Sequence, residues 1–279
     1  MAETTLLATF TSDFGTRDGY VAAVKGVMLA VAPGLTIVDV SHEIAPQQIE
    51  QAVFVTGQAW PFFPPGCVHL VVVDPGVGTD RAAIALRGPR GYAVGPDNGC
   101  LSAFVPEEAR ALMDALRDRP FGPLGFRLPA GYEARAIENP AIVRAERSAT
   151  FHGRDVFGPA AAHLAAGFPF DEIGPPLERV WLLPPFEGHR AADGVHGRVV
   201  HIDRFGNLIT SIRGSQLPEG PAELEIAGHR ARFVRTYGEG RGLVALVGSS
   251  GYVEMALVNG SAAARTGVSV GAPAIVRGR

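Results

Sequence analysis

Short apolar runs alternate with amphipathic stretches along the N-terminal part of the chain, and this alternation limits the possible folds more than any other feature. Strand-like runs cover 6–11, 36–40 and 68–73, and stretches with an apolar stripe at helical spacing cover 19–32 and 47–59. The run 68–73 is apolar except for His69, as is typical of parallel strands buried on both faces. Because helices separate the strands, the pattern predicts an α/β domain with a mainly parallel sheet and helices on both faces.

Two further strands and a helix are predicted to follow. Residues 81–86 and 91–94 are strand-like and are separated by a Gly-Pro turn, which indicates a local antiparallel pair. The Ala-rich segment 153–166 predicts one more helix.

The composition and the hydrophobic pattern of the sequence change after this helix. The stretch 183–194 (LPPFEGHRAADG) contains two prolines and two glycines, which is typical of a linker. Beyond it, turn residues separate short β-like runs that predict a barrel or a sandwich, namely 195–202, 208–212, 222–226, 231–235, 243–247 and 252–258. We therefore predict an N-terminal α/β domain at 1–184, a linker at 185–194 and a smaller C-terminal all-β domain at 195–279.

The composition argues against several classes of partner. The chain carries 25 basic and 28 acidic residues, and a net charge of −3 offers no basic surface for a polyanion such as DNA. No apolar run approaches the roughly 20 residues of a membrane span, and the N-terminus does not resemble a secretory signal. Cys67 and Cys100 are expected to be buried free thiols in a reducing compartment. We therefore expect a soluble, cytoplasmic protein without nucleic-acid or membrane partners.

Acidic side chains follow two of the predicted strands. Asp13 comes at the carboxyl end of the first strand, and Asp74 directly follows the run 68–73. Open α/β sheets bind ligands at this edge, where a carboxylate can accept both hydroxyls of a ribose. Asp18 lies where the first helix is expected to begin, so a helix N-cap is its structural alternative. An ordinary Asp-Pro-Gly turn is the structural alternative for Asp74.

Two basic side chains are candidates to join Asp74. Arg81 begins the next predicted strand and could fold back toward Asp74, although a simple structural ion pair would leave the same pattern. His152 precedes the helix predicted at 153–166, so its ring could face a cleft near the positive end of a helix dipole. A lone histidine more often has a structural role. Arg154 and Asp155 are expected to serve the fold.

A further polar cluster lies in the C-terminal part. The segment 202–211 (IDRFGNLITS) predicts a hairpin whose turn presents Asp203, Phe205 and Asn207. An aromatic ring beside an amide can stack on an adenine and hydrogen-bond to its edge, whereas a bare hairpin would carry no function.

Motifs for several common chemistries are missing. The chain has no G-x-x-x-x-G-K-[ST], no G-x-G-x-x-G after a strand and no C-x-x-C. His42 and Glu43 begin an H-E-x-x-H pattern that lacks its second histidine, and the segment 248–251 lacks the spacing of a nucleophile elbow. Phosphate-loop, zinc and serine-hydrolase chemistry therefore lose their usual support, and we expect neither a metal site nor a cofactor.

Taken in this order, the clusters resemble those of the S-adenosyl-L-methionine (SAM) hydroxide adenosyltransferases, hydrolases related to bacterial fluorinase and chlorinase. The resemblance extends from residue 11 to residue 263 and rests on TSDFGTRDGYVAAVKG, on VVDPGVG with the Arg that follows it, on GPDNG, on FHGRD and on RFGNLITS.

The resemblance implies an N-terminal α/β domain, a C-terminal β-barrel domain and a homotrimer that binds SAM between neighbouring subunits. It implies hydrolysis of SAM, in its (S) or (R) sulfonium form, to adenosine and methionine, with Asp74, Arg81 and His152 as the catalytic set. The implied substrate contacts are Asp13 for the ribose, Phe205 and Asn207 for the adenine, Asp18, Asp203 and Ser249 for the methionine part, and Glu254 and Ala256 beside the adenine edge.

The chemistry of the implied substrate fits these residues. The leaving group is a neutral thioether, so methionine departs without a general acid, and the reaction needs only an oriented and activated water. Arg81 would stabilise negative charge on the water oxygen, and either Asp74 or His152 would accept the proton. The related halogenases hold a halide among neutral donors, whereas a carboxylate at Asp74 would repel one. The sequence therefore favours water as the nucleophile.

Two alternatives stay open from the sequence. Asp13, Asp18 and Asp74 also suit Mg²⁺ ligands in a phosphohydrolase. The same scaffold could also bind adenosine or SAM without turnover, as a sensor. Metal dependence tests the first alternative, and product formation tests the second.

Overall fold

The structure is a computed structural model that describes residues 6–111 and 121–278, and its contacts divide the chain into two compact units. The first unit extends to Pro185 and the second begins at Phe186. Residues 185–194, where we expected a linker, include a short strand, His189–Ala191, that pairs with the strand after it. The domain bounds given above stay a prediction.

The first unit is built on a six-stranded sheet. Its helices are α1 (Tyr20–Val31), α2 (Ile49–Ala59), α3 (Glu107–Ala111) and α4 (Gly158–Ala165), and its strands are β1 (Leu7–Ser12), β2 (Thr36–Ser41), β3 (Cys67–Val72), β4 (Ala83–Gly88), β5 (Gly91–Pro96), β6 (Leu124–Phe126), β7 (Glu133–Ala136) and β8 (Val180–Leu182). The strand order is β2-β1-β3-β5-β4-β7, while β6 and β8 form a separate pair. Three pairings in the large sheet are parallel, and β4 is antiparallel to β5 and β7. Both the mainly parallel sheet and the antiparallel β4–β5 pair are thus confirmed.

The hydrophobic core of this unit lies on both faces of the sheet. Val68, Leu70 and Val72 of β3 pack with residues of α1 and α4 on one face. Val71 and Val73 pack with residues of α2 on the other face. Alternating side chains along a strand point to opposite faces, so a strand that is covered on both faces needs apolar residues at nearly every position. Each such side chain contributes roughly 1.5–3 kcal/mol when fully buried.

The helix predicted at 153–166 begins differently from the expectation. Residues Gly153–Phe157 form one turn of π-helix, and α4 follows directly from Gly158. An added Cβ at Gly158 would lie 2.9 Å from the Gly153 carbonyl oxygen and 3.0 Å from Val24 of α1. The close packing of α1 on this turn therefore requires a residue without a side chain. Single π-turns of this kind occur frequently at functional sites.

The second unit is a closed seven-stranded barrel, which confirms the predicted C-terminal β-barrel. Its strands are β9 (His189–Ala191), β10 (Gly194–Ile202), β11 (Leu208–Arg213), β12 (Ala222–Ile226), β13 (His229–Phe233), β14 (Leu243–Val247), β15 (Tyr252–Leu257) and β16 (Pro273–Gly278), with a short helix α5 (Ala262–Thr266). The order β11-β15-β14-β13-β12-β16-β10 closes because β10 also pairs with β11, and β9 is attached to β10. We did not predict β16.

Two other expectations concern burial. Cys67 and Cys100 are both buried free thiols, as predicted. Within the described ranges, no helix combines the length and the apolar character that a membrane span requires.

Candidate active site

A tight loop joins the end of β3 to the start of β4 and carries Asp74 and Arg81. The carbonyl oxygen of Gly76 accepts the N–H of Thr79 at 3.1 Å and its hydroxyl at 2.6 Å. The Thr79 hydroxyl oxygen in turn lies 3.4 Å from the backbone nitrogen of Arg81. The loop therefore folds back on itself and returns Arg81 toward the strand end from which Asp74 projects.

One glycine in this loop sets its position against another part of the chain. Gly78 has a φ of +80°, a left-handed conformation, and an added Cβ would lie 3.0 Å from the carbonyl oxygen of Ala149. Only glycine meets both conditions without strain. The close approach brings the loop against the segment that leads into His152.

Asp74 and Arg81 form a nearly buried ion pair. Arg81 Nε donates to Asp74 Oδ1 at 2.9 Å and to Oδ2 at 3.0 Å, and Arg81 Nη2 donates a further short bond to Oδ2. The two side chains are 7% and 10% exposed, and the guanidinium lies 5.1 Å from the centroid of the Phe157 ring. Bonds between charged partners strengthen where solvent is excluded. The carboxylate and the guanidinium therefore hold each other in a fixed orientation.

His152 joins this pair through its Nδ1 atom. Arg81 Nη2 lies 2.7 Å from His152 Nδ1. Because a guanidinium can only donate, Nδ1 must accept this bond, and the neutral ring then carries its proton on Nε2. Burial and the neighbouring charge of Arg81 both lower the pKa of His152. The three side chains thus form one cluster with a neutral histidine.

A second ion-pair network holds the segment that carries His152. The Asp155 side chain is fully buried and accepts bonds from Arg154 Nε at 2.7 Å, from Arg154 Nη2 at 2.8 Å and from the Ser148 N–H at 2.8 Å. Arg144 Nε lies 3.1 Å from the same carboxylate. Burial alone would raise the pKa of Asp155, but these bonds and charges outweigh it and lower the pKa. The contacts agree with the structural roles expected for Arg154 and Asp155.

Asp13 leaves the sheet at the same edge as Asp74. Ser12 of β1 is paired in register with Val72 of β3, so the residues that follow both strands lie side by side. Asp13 is half-buried, and its Oδ2 accepts the N–H of Gln47 at 2.8 Å. Burial raises the pKa of Asp13 and the charge of Asp74 raises it further, against the opposing bonds from the backbone N–H groups of Gln47 and Asp13.

Asp18 differs from these residues in its exposure to solvent. It is exposed, and the residue at the N-cap of α1 is Gly19, which makes no side-chain capping bond. The helix-capping alternative for Asp18 is therefore wrong, and its contact with the methionine part of a substrate stays a prediction.

In the second unit, the hairpin between β10 and β11 is organised by Asp203. Its Oδ1 accepts the backbone N–H groups of Phe205 and Asn207 at 2.9 Å each, and its Oδ2 accepts Asn207 Nδ2 at 2.9 Å. A carboxylate offers about four acceptor positions, so the turn uses most of them. The Phe205 ring is 77% exposed and is free to stack on a planar ligand.

Glu254 and Ala256 lie on the outer face of β15. Val253 and Met255 belong to the barrel core, so the alternate residues of the strand point outward. Glu254 is only 4% exposed and accepts the hydroxyl of Tyr237. Burial raises the pKa of Glu254; the Tyr237 bond opposes this and the charge of Asp203 adds to it. Glu254 is therefore close to the hairpin that carries the other predicted adenine contacts.

The remaining two predicted residues differ in exposure. Ala256 packs with Val244 and Leu246, and its side chain is buried. Ser249 is exposed in the turn between β14 and β15, where the Gly251 N–H donates to the Gly248 carbonyl. The roles assigned to both residues stay predictions.

Sequence reasoning missed three residues: Tyr237 and Gln47, which hydrogen-bond to Glu254 and Asp13, and His42, which binds Ser12 beside Asp13. Nothing in the sequence distinguishes Tyr237 from other exposed-loop tyrosines. His42, however, directly follows β2, so the strand-end criterion that selected Asp13 applies to it equally. The zinc motif that His42 and Glu43 begin gave no indication of this position.

The arrangement of acidic residues bears on the magnesium alternative. Across 6–111 and 121–278, no group of three or more His, Cys, Asp or Glu side chains is placed to hold a metal ion. The oxygens of Asp74 instead accept bonds from Arg81. Asp74, one of the three residues of the magnesium alternative, is thus already engaged by a guanidinium.

Two family models match the chain over most of its length. The model for the SAM hydroxide adenosyltransferase N-terminal domain matches residues 8–174, and the model for the corresponding C-terminal domain matches residues 197–275.

Individual proteins are similar over three quarters or more of the chain. An (R)-S-adenosyl-L-methionine hydrolase from Thermus thermophilus is 40% identical over 271 residues, which cover 95% of this chain and 96% of the relative. A fluorinase from an Actinoplanes species is 32% identical over 236 residues, covering 75% of this chain and 72% of the relative. The crystal structure of an uncharacterized conserved protein from Thermotoga maritima superposes with a TM-score of 0.81 at 29% identity, covering 96% of this chain and 99% of that one.

Proposed function

The chain belongs to the SAM hydroxide adenosyltransferase family, and from this premise we propose that it hydrolyses SAM at C5′ to adenosine and L-methionine. The observation that carries the proposal is the cluster of Asp74, Arg81 and neutral His152 at the carboxyl edge of the sheet. Such a cluster can bind and activate one water molecule, which is the only co-reactant that this reaction needs.

In the proposed reaction, the water oxygen attacks C5′ in line with the sulfonium. The new C5′–O bond forms as the C5′–S bond breaks, and the bonding electrons move to sulfur, which leaves as the neutral thioether of methionine. The water loses one proton to a base. Because the leaving group needs no proton, positioning and charge stabilisation of the nucleophile supply most of the catalysis.

We assign the base to Asp74 on the geometry of His152. The Nδ1 atom of His152 already accepts a bond from Arg81, and its Nε2 atom carries the ring proton. In the proposed arrangement, the ring donates to the water oxygen through Nε2–H. Asp74 keeps acceptor positions beyond those used by Arg81, so it is the group that can take the proton.

The same pair explains why the nucleophile should be water and not a halide. Asp74 is an anion held in a nearly solvent-free position, and a halide beside it would meet repulsion that water does not. We therefore propose that this chain shares the fold of the fluorinases but uses water, not a halide, as the nucleophile.

The substrate contacts are proposed from the family pattern and from the contacts described above. Asp13 is proposed to hold the ribose diol, Phe205 and Asn207 the adenine with Glu254 and Ala256 at its edge, and Asp18, Asp203 and Ser249 the amino-acid part. For Asp203, the hairpin bonds support a role that is largely indirect, through the placement of Asn207.

We also propose that the enzyme is a cytoplasmic homotrimer that binds SAM between neighbouring subunits, and that it acts on the (R)-sulfonium epimer. The relative from Thermus thermophilus carries the (R) designation in its name, which supports the epimer preference. The two buried free thiols suit a reducing compartment. Sedimentation equilibrium measures the oligomeric state.

The deciding experiment is product analysis with resolved (S)- and (R)-SAM in H₂¹⁸O, with and without chloride. We expect adenosine and methionine from the (R) epimer, one ¹⁸O atom at the 5′ position of adenosine, and no chlorinated nucleoside. Binding of SAM without any product would instead establish the sensor alternative, and a halogenated product would contradict the assignment of water.

Removal of divalent metal is expected to leave turnover unchanged. The oxygens of Asp74 are engaged by Arg81, and the leaving thioether needs no Lewis acid. The measurement is the rate of adenosine formation after dialysis against EDTA and again after addition of Mg²⁺. Loss of activity that Mg²⁺ restores would support the phosphohydrolase alternative.

The pH dependence of kcat is expected to show an acidic limb set by His152. Since its pKa lies below the ordinary value of about 6.5, the ring is neutral at pH 7, and kcat should fall only as the pH drops through that lowered pKa. Protonation would place a hydrogen on His152 Nδ1, where it would face the N–H that Arg81 Nη2 donates. A His152→Asn variant, which keeps an acceptor but does not titrate, should retain residual activity without this limb.

His163 provides the matched control for this profile, because burial also lowers its pKa and it lies on α4. A His163→Asn variant should keep the limb of the wild-type enzyme. An unchanged limb in His152→Asn would remove His152 from this role.

A further inference from the structure

A chain of polar side chains that the proposed catalytic set does not include runs from the end of β1 to α1. Ser12 Oγ lies 2.7 Å from His42 Nδ1, and His42 Nε2 lies 3.0 Å from Asp39 Oδ1, off the axis of an ideal hydrogen bond. Lys25 Nζ donates to Asp39 Oδ2 at 2.6 Å. Ser12 and His42 are buried, whereas Lys25 and Asp39 reach solvent.

The charges along this chain fix the direction of its hydrogen bonds. Burial would raise the pKa of Asp39, but the bond from Lys25 and the nearby His42 ring outweigh it and lower the pKa, so Asp39 stays ionised. A carboxylate beside Nε2 favours a proton on that nitrogen and leaves Nδ1 as the acceptor. The hydroxyl of Ser12 therefore donates to His42 Nδ1, and its oxygen stays available to the Phe14 N–H at 3.4 Å.

The arrangement Ser12, His42 and Asp39 has the composition of a hydrolytic triad, but its geometry excludes that use. Ser12 is completely buried, and the ring of Phe10 lies against His42 with 4.6 Å between centroids. A nucleophile must reach its substrate, which Ser12 cannot do here. The chain therefore serves the placement of a neighbouring group.

That neighbouring group is Asp13. His42 forms hydrogen bonds to the chain before and after this residue. Through its ring, His42 binds Ser12, the residue before Asp13. Through its carbonyl oxygen, His42 accepts the N–H of Gly15 at 2.8 Å, two residues after Asp13.

The segment that follows His42 also binds the Asp13 carboxylate itself. The Gln47 N–H donates to Asp13 Oδ2 at 2.8 Å. Gln47 has a φ of +67°, which is an uncommon, strained conformation for a residue with a side chain. The fold thus accepts local strain where a backbone donor meets this carboxylate.

We propose that His42 is a positioning residue that fixes the Asp13 carboxylate for the ribose diol of the substrate, acting through Ser12 and through the segment 42–47. The proposal rests on the proposed function, in which Asp13 binds that diol. His42 itself touches no substrate, so its effect should appear only with ligands that carry the two ribose hydroxyls.

The test is calorimetric binding of adenosine and of 2′,3′-dideoxyadenosine, a ligand that lacks the diol. In a His42→Phe variant, which keeps the buried ring but removes its nitrogens, we expect adenosine to bind about tenfold more weakly, the loss of one charge-assisted bond. Binding of 2′,3′-dideoxyadenosine should change less than about twofold. A His42→Asn variant, whose side-chain oxygen can accept from Ser12, should recover most of the adenosine affinity.

His69 offers a matched control on the neighbouring strand. It is as buried as His42, and its Nδ1 lies 2.8 Å from Thr9 Oγ1 of β1, but it packs among Trp60, Phe63 and Phe104. A His69→Phe variant should therefore keep the wild-type ratio of the two affinities even where its stability falls.

Two further variants separate the possible outcomes. Ser12→Ala removes the hydroxyl through which His42 acts, and it should lose adenosine affinity selectively even where His42→Phe does not fold. If Asp13→Asn leaves the affinity ratio unchanged, the proposed role of Asp13 fails. Suppose that Asp13→Asn removes the preference for adenosine over 2′,3′-dideoxyadenosine. If His42→Phe and Ser12→Ala then keep that preference, or weaken the binding of both ligands equally, the positioning role of His42 is overturned.

Discussion

An Asp74→Asn variant is expected to lower kcat for SAM hydrolysis by about 10²–10⁴-fold, the usual contribution of a positioned general base. Asn keeps the size of the side chain and one acceptor for Arg81, but it takes up no proton from water. KM should change little, because the proposed contacts of Asp74 are with the water and with Arg81, not with SAM. The measurement is single-turnover adenosine formation together with equilibrium binding of SAM.

The variant also leaves the charge of Arg81 uncompensated in a site that is only 10% exposed, so its folding must be checked by thermal melting. Asp80 lies in the same loop and is exposed, which makes Asp80→Asn the matched control. That control should turn over SAM at the wild-type rate. An Asp74→Asn enzyme that binds SAM normally and keeps its full kcat would exclude Asp74 as the base.

The fold was predictable where local pattern and tertiary packing agree. The apolar run at 68–73 gave a correct strand because side chains on both of its faces are buried. The strand Glu133–Ala136 was missed because its sequence, EARA, has no apolar run, and it is a strand only because β4 supplies its hydrogen bonds. Similarly, Pro273–Gly278 begins with proline, and its apolar run covers only the three residues 274–276. The π-turn at Gly153–Phe157 has the composition of an α-helix, so periodicity could not reveal it.

For the candidate site, the sequence identified residues but not their contacts. Asp-Pro-Gly predicts a turn equally well with or without a function, and Arg81 and His152 are 71 residues apart. The packing of Gly78 against Ala149 joins these segments, and no local pattern encodes that contact. The neutral state of His152 likewise depends on the direction of one bond from Arg81. Sequence therefore left the base undecided, and our proposal of Asp74 rests on the hydrogen-bond geometry.

An Asp155→Ala variant is expected to lower the free energy of unfolding of the first unit by about 3 kcal/mol, the lower end of the cost of breaking a buried ion pair. The Asp155 side chain is fully buried, whereas Arg154 and Arg144 are 34% and 45% exposed and can turn to solvent. The Ser148 N–H loses its acceptor as well. The expected decrease in Tm is roughly 6–12 °C for a domain of this size.

The lowered pKa of Asp155 determines how the stability lost in Asp155→Ala depends on pH. A carboxylate whose pKa is depressed in the folded state stabilises the fold above its unfolded pKa, and this stabilisation is lost as the pH falls through the folded pKa. The Tm difference between wild type and Asp155→Ala should therefore be constant above about pH 5 and should shrink below about pH 4. Asp171 is 68% exposed and forms only long ion pairs with Arg87 and Arg135, so Asp171→Ala should change stability by less than about 1 kcal/mol.

The same substitution should also reduce catalysis, since Asp155 holds the segment 148–155 from which His152 projects. A displacement of about 1 Å in a catalytic group can cost roughly 10²-fold in rate. We therefore expect kcat of Asp155→Ala to fall at a temperature where the variant is fully folded, with the acidic limb assigned to His152 shifted toward the ordinary histidine pKa as the ring leaves Arg81. A folded Asp155→Ala enzyme with wild-type kcat and an unshifted limb would show that the Arg81 contact alone places His152.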